Sequence, residues 1–177
     1  MKFVGMKCLQ LFALLWVFAL PGCSKEIPKI LGAPIEGINH TSAAINHFQV
    51  NGSGGSNLGP YGGGGQTCCV SLPTQWHPGL TVVVEWEKDP LPHDYSNWPE
   101  RLYSEAWSKR MKEHRTKYTR HRAVVEVAPY EDLGLVNVHF LPCDRVQVSA
   151  GATYPGRPDH PYNYPRKMEV PKTCPAL

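Results

Sequence analysis

Residues 61–86, YGGGGQTCCVSLPTQWHPGLTVVVEW, constrain this fold more than any other stretch. Glycines lead into adjacent cysteines, then into two proline-bearing turns, then into the most β-prone run of the chain. Leu80, Val82, Val84 and Trp86 fall on one side of an extended segment, and Thr81, Val83, Glu85 and Glu87 on the other. This alternation predicts a strand buried on one face, with Trp86 as its anchor. Such a strand needs a facing layer, and segments 44–50, 66–72, 119–128, 135–141 and 145–149 supply further strand candidates. In 44–50, Ile45, His47 and Gln49 alternate with Asn46, Phe48 and Val50, and Asn51-Gly52 signals a turn. Ala123, Val125 and Val127, with Val136, Val138 and Phe140, suit a hairpin joined by residues 129–134.

Helical spacing occurs once. Trp98, Leu102, Ala106 and Met111, flanked by Tyr103 and Trp107, predict an amphipathic helix starting near Pro99, capped by Ser96 or Asn97. Its apolar stripe is expected in the core. Six prolines between Pro155 and Pro175 exclude a regular central strand and favour extended segments lying on the domain. The fold expected is mainly β within the α+β class: an antiparallel β-sandwich-like domain with one amphipathic helix and a proline-rich C-terminal segment.

The first residues carry an address. Lys2 and Lys7 precede an uncharged, mostly apolar run at 9–20, too short for a spanning helix and suited to a signal-peptide core. Leu20-Pro21-Gly22-Cys23 follows and resembles the lipobox of bacterial lipoproteins, in which the cysteine is acylated. Pro21 stands where that family more often has a small or hydroxyl residue. The expectation is a signal peptide at 1–22, lipidation at Cys23, a tether to residue 37 and one periplasmic domain at 38–177. Ser24, in place of aspartate, resembles lipoproteins sorted to the outer membrane. Multiple acyl chains would provide stable membrane attachment.

Cys68, Cys69, Cys143 and Cys174 remain in the exported domain, with three possible pairings. Opposite orientation on a strand favours Cys68 and Cys69 each bonding outward, to Cys143 and Cys174. No C-x-x-C or H-x3-H spacing accompanies them, which argues against zinc and a redox thiol. Removing Lys2 and Lys7 with the signal leaves a formal charge of +1, which gives no field for nucleic acid. Residues 51–65 hold eight of sixteen glycines, yet lack Gly-Lys-Ser/Thr and lead into a strand, so a flexible connection is expected and not a phosphate cradle. His40 and His47 have no second ligand nearby in sequence, and Glu85 and Glu87 share a solvated face. Lys109, Arg110, Lys112 and Arg115, continuing into Lys117, Arg120 and Arg122, form the one basic cluster. Such a cluster is usually a solvated face, with headgroups or an acidic partner as its candidate ligands.

VNGSGG, the 62–86 segment, the V-N-V-H-F-L-P run and the HPYNYP tail together resemble an uncharacterised family of proteobacterial lipoproteins, a domain of unknown function. Its most specific part is Gly-Gly-x-x-Cys-Cys followed by Leu-Pro-x-x-Trp. The resemblance implies association, for some members, with immunity to phospholipase effectors of type VI secretion. It supplies a periplasmic address and a partner class, and no catalytic residues. The leading expectation is a non-enzymatic binding protein that occludes a secreted lipase, without cofactor or metal. Tyr61, Trp76, Tyr154, Tyr162 and Tyr164 are its candidate partner-binding residues. The alternatives are a structural envelope lipoprotein, or a hydrolase built from His139, Asp144 and a loop serine. No G-x-S-x-G or H-E-x-x-H motif supports the last.

Overall fold

The computed structural model describes residues 29–175. The signal segment, Cys23 and the beginning of the expected tether lie outside the described residues. The strands are β1 (Ile30–Asn39), β2 (Ala44–Val50), β3 (Ser53–Gly55), β4 (Thr67–Pro73), β5 (Thr81–Asp89), β6 (Thr119–Glu126), β7 (Leu133–Leu141) and β8 (Arg145–Gly151), with a helix α1 (Glu105–Arg115) between β5 and β6. They form two four-stranded sheets, ordered β4-β1-β7-β8 and β3-β2-β5-β6. All pairings are antiparallel except β1 with β7.

The period-2 reading of β5 gives its buried face: Leu80, Val82, Val84 and Trp86 all enter the core. They meet Ile35, Val136, Val138 and Phe140 of the other sheet. Phe48 and Trp86 contact the Phe140 ring edge-on, at centroid distances of 5.2 and 5.8 Å. Each such aromatic or aliphatic side chain contributes roughly 1.5–3 kcal/mol by leaving water. In β2 the alternation changes phase. A register shift between Ile45 and His47 puts Ile45, Phe48 and Val50 inside together, as a bulge does by adding one residue.

The expected tether is partly strand. Residues 30–37 belong to β1, which pairs with β4 and β7 in the middle of the first sheet. Proline has no N–H to donate, and Pro34 is accommodated because the β1–β4 register slips between Ala33 and Ile35, opposite Cys68 and Cys69. The expected β6–β7 hairpin is also corrected. Val127 bridges to Val148 and the Ala128 amide bonds to the Val148 carbonyl, so the chain crosses between sheets before β7 begins. Both apolar faces point inward, from opposite layers.

The cysteine pairing differs from the expected one. Cys68 bonds to Cys69 across a cis peptide, and Cys143 bonds to Cys174 with Cα atoms 5.5 Å apart. Register forbids the outward pairing: Thr67 lies level with Ile35 and hence with Val136, while Cys143 lies beyond Leu141. At about 3.3 Å per residue that is a separation of roughly 20 Å, against the ~7 Å reach of a disulfide.

The helix starts later than the spacing predicts. Ser104 caps it, accepting a bond from the Trp107 amide at 3.2 Å, because Tyr103 at φ +62° interrupts helical backbone. Its stripe is not core either: Leu102 and Tyr103 are exposed and only His114 within the helix is buried.

The glycine segment is ordered against both sheets. β3 pairs with β2, Leu58 bridges Ile45 and Gly63 bridges Ile38, so the loop closes one side of the sandwich. Gly55 is required there because a Cβ would lie 1.9 Å from the buried Phe48 ring. Gly55→Ala is expected to cost about 1–3 kcal/mol, as overpacking does, measured by urea unfolding. Gly54→Ala, with open space around its Cβ, is the control.

Candidate functional site

β7 is buried on both faces. Val136, Val138 and Phe140 point into the sandwich, while Asn137 and His139 point outward and are still buried. What covers His139 is the proline-rich tail. It leaves β8 at Gly151 and is fastened along the outer face of the first sheet. Ser149 Oγ lies 3.1 Å from His160 Nε2, and Tyr164 donates its hydroxyl to Gln147 Oε1 at 2.6 Å. The Met168 amide donates to the His40 carbonyl at 2.9 Å, and Arg166 Nε donates to the Tyr61 carbonyl at 2.8 Å. Lys167 places its ammonium over the Tyr61 ring, and Cys174 ends the strap in its bond to Cys143. Extended chain without sheet partners is what six prolines allow, and side chains supply the fastening that a ladder would.

Three histidines line this seam. His40 Nε2 and His139 Nδ1 are 3.0 Å apart, and His40 Nδ1 lies 2.8 Å from the Pro165 carbonyl. A carbonyl can only accept, so His40 Nδ1 carries the hydrogen and donates it. His40 Nε2 then accepts from His139 Nδ1–H, leaving His139 Nε2 as a lone pair, buried and without a partner. Burial, then the neighbouring His40 and His160, lowers the His139 pKa to about 3. Burial also lowers that of His40, against the Pro165 bond. The pair is therefore neutral at ordinary pH.

The structure gathers Tyr162 and Tyr164, stacked at 6.0 Å, onto these histidines, with Tyr61 at the upper end of the same strap. Tyr154 projects into solvent near its start. Trp76 stands apart, its indole N–H bonded to the Val127 carbonyl at 2.9 Å and its ring on the core, so it anchors the β4–β5 turn. His139 and Asp144 do not form a site. Asp144 lies in the β7–β8 turn, ion-paired to Lys88 and 3.9 Å from His121, while His139 faces His40. Among the described residues no group of three or more His, Cys, Asp or Glu side chains is arranged to hold a metal ion, and no helix is long and apolar enough to cross a membrane.

Sequence reading missed two arrangements. One is the seam itself, whose histidines are brought together only by the β1–β7 pairing and the path of the tail. The other is a second buried histidine: His114 Nε2 lies 3.0 Å from Asp89 Oδ2, ringed by Tyr95, Trp98 and Tyr118. The run of aromatics between residues 95 and 118 was its available signal.

A family model described as protein of unknown function (DUF3304) matches residues 38–148. That span contains α1 and ends before the tail. No curated protein and no solved structure matches the chain.

Proposed function

Given that the chain belongs to the DUF3304 family, we propose that it acts as a lipid-anchored periplasmic binding protein that neutralises a secreted phospholipase, an immunity protein against type VI secretion. Cys23 carries the anchor in this reading and the outer membrane is its location. The observation that carries it is how the polar interior is used. The buried histidines, Asp89 and Ser149 fasten the tail and the α1 segment to the sandwich. Leu102, Tyr103, Tyr95 and Tyr154 are left exposed on that stiffened frame. Preorganised aromatic surface of this kind favours protein recognition, because little side-chain freedom remains to be lost on binding.

The test is survival. Phospholipase effectors encoded in the same genome are directed to the periplasm of a sensitive host, with and without the full-length protein. Colony counts restored for one effector support the reading. Equal killing with and without the protein, across all of them, overturns it.

A second reading, ester hydrolysis, is favoured by one contact, Ser149 Oγ to His160 Nε2 at 3.1 Å, beside a cleft that includes Asp159 and Asp132. His160 Nδ1 lies 2.9 Å from the Tyr162 carbonyl and 3.1 Å from the Tyr162 amide; a general base needs the first contact to prevail, with Nδ1–H donating to the carbonyl and Nε2 free to take the serine proton. Both side chains are buried under the strap. Turnover of nitrophenyl esters that disappears in Ser149→Ala would establish this reading, and absence of turnover by the intact protein would remove it.

A further inference from the structure

We propose that the docking surface is the lobe formed by residues 90–118, and that it receives an acidic protein surface. This deepens the binding reading above and rests on it. β5 and β6 pair without interruption up to Lys88 opposite Thr119, so the residues between them are an outgrowth that the sandwich does not need for its ladder. The outgrowth is nonetheless built to be rigid. Asp89 and His114, with side chains only 4% and 2% exposed, tie its end to its base. Trp98 meets the Trp107 ring edge-on and the Arg110 guanidinium over its own ring, and that guanidinium also pairs with Glu100.

On its outer side the lobe presents Leu102 and Tyr103, 58% and 78% exposed. Tyr103 is held at φ +62°, a backbone state that a bulky non-glycine residue seldom adopts. Strained residues of this sort concentrate at recognition sites, and here the strain aims an aromatic ring at solvent. The same lobe exposes Arg101, Lys109, Lys112 and Arg115, none with a carboxylate within ion-pair distance among the described residues, along with Glu105 and Glu113, while Arg110 and Lys117 are paired. Exposed Leu102 and Tyr103 on a lobe whose unpaired cations outnumber its unpaired carboxylates are complementary to an acidic surface with an apolar depression.

Geometry decides between protein and bilayer. β1 begins at Ile30 opposite Pro73, and runs about 33 Å to Asn39 at its 3.3 Å rise. Asn39 lies beside Ala43, and Ala44 pairs with Asp89, at the base of the lobe. With the anchor at Cys23 that the proposed function assigns, the chain enters the domain at the Ile30 end of β1, so the membrane side is the end opposite the lobe. Glu131 and Asp132, just before β7, sit at that membrane-side end.

The experiment uses the full-length protein and the phospholipase it protects against, made catalytically inactive for binding. Leu102→Ser with Tyr103→Ala, and separately Lys109→Glu with Lys112→Glu, are compared with a tail variant at exposed side chains, Arg157→Ala with Lys172→Ala. Each is checked for wild-type circular dichroism and membrane-fraction abundance. The expected result is at least about a tenfold weaker Kd for each lobe pair, loss of protection in colony counts, and a wild-type Kd for the tail pair. If the wild type protects and the lobe variants protect equally, the proposal is overturned while the binding reading stands. If the wild type neither binds nor protects against any phospholipase, the reading falls and the proposal with it. Tryptophan quenching by brominated phosphatidylglycerol in vesicles carrying the full-length protein, lost in Tyr103→Ala, would make the bilayer the partner and also overturn the proposal.

Discussion

Alanine in place of Asp89 is expected to destabilise the protein by about 2–4 kcal/mol, the cost of losing two hydrogen bonds and leaving buried polar partners unsatisfied. Asp89 ends β5, and its carboxylate serves two elements at once. Oδ2 meets His114 Nε2 at 3.0 Å near the end of α1, and Oδ1 accepts from the Leu91 amide at 2.9 Å where the chain leaves the sheet. His114 Nδ1 already has no partner, so the substitution leaves an imidazole with neither nitrogen bonded, enclosed by aromatic rings. Asp94→Ala is the matched control, since its pair with Lys117 at 3.4 Å has both side chains well exposed. An exposed pair contributes about 0–1 kcal/mol. Hydrogen exchange separates local from global effects. Faster exchange confined to residues 90–118 would show the lobe unfastening from an intact sandwich, and a loss equal to that of Asp94→Ala would refute the role given to the pair.

That lobe also marks where sequence reading reaches its limit. β5 was legible because one residue in two is apolar and nothing interrupts the period. β2 kept its boundaries and lost its phase, since a bulge leaves no mark in a short alternation. β1 was hidden by Pro34, which reads as a breaker until a register slip opposite Cys68 and Cys69 gives it a place without a bond to donate. The helix was legible in kind, but its stripe was assigned to the core because period 3.6 reports which residues share a face and not what that face meets. The Tyr103 backbone and the Ser104 cap, which decide where α1 begins, depend on local geometry that no spacing encodes. The parallel β1–β7 pair brings His40 to His139 from opposite ends of the domain, and the tail adds His160. Only the prolines announced that the tail would lie flat.

The histidine seam gives a pH dependence whose sign is fixed by its geometry. Between His40 Nε2 and His139 Nδ1, 3.0 Å apart, there is room for one hydrogen. Protonating His40 sets two N–H groups against each other, and protonating His139 points a new N–H from Nε2 into a buried place with no acceptor. The folded protein therefore resists the proton, with His139 lowered to about 3 from its ordinary 6.5. An unfolded chain takes it up near 6.5. Above that value both states are neutral and this contribution to stability is whole; below it the unfolded state binds more protons, and stability is lost progressively until the folded group titrates. Between pH 7.5 and 5, before most carboxylates titrate, the expected loss from His139 is about 2 kcal/mol at 1.36 kcal/mol per unit. The lowered pKa of His40 acts in the same direction. Urea unfolding at both pH values measures it, and His139→Phe, which has no proton to gain, should flatten the dependence by most of that amount. An unchanged slope in the variant would mean that the seam is not what the acid side of the profile reports. Because the seam holds the strap at Pro165 and Met168, acid should also free the tail before the core melts, seen as proteolysis after Arg166 or Lys167 that outpaces cleavage within the sandwich.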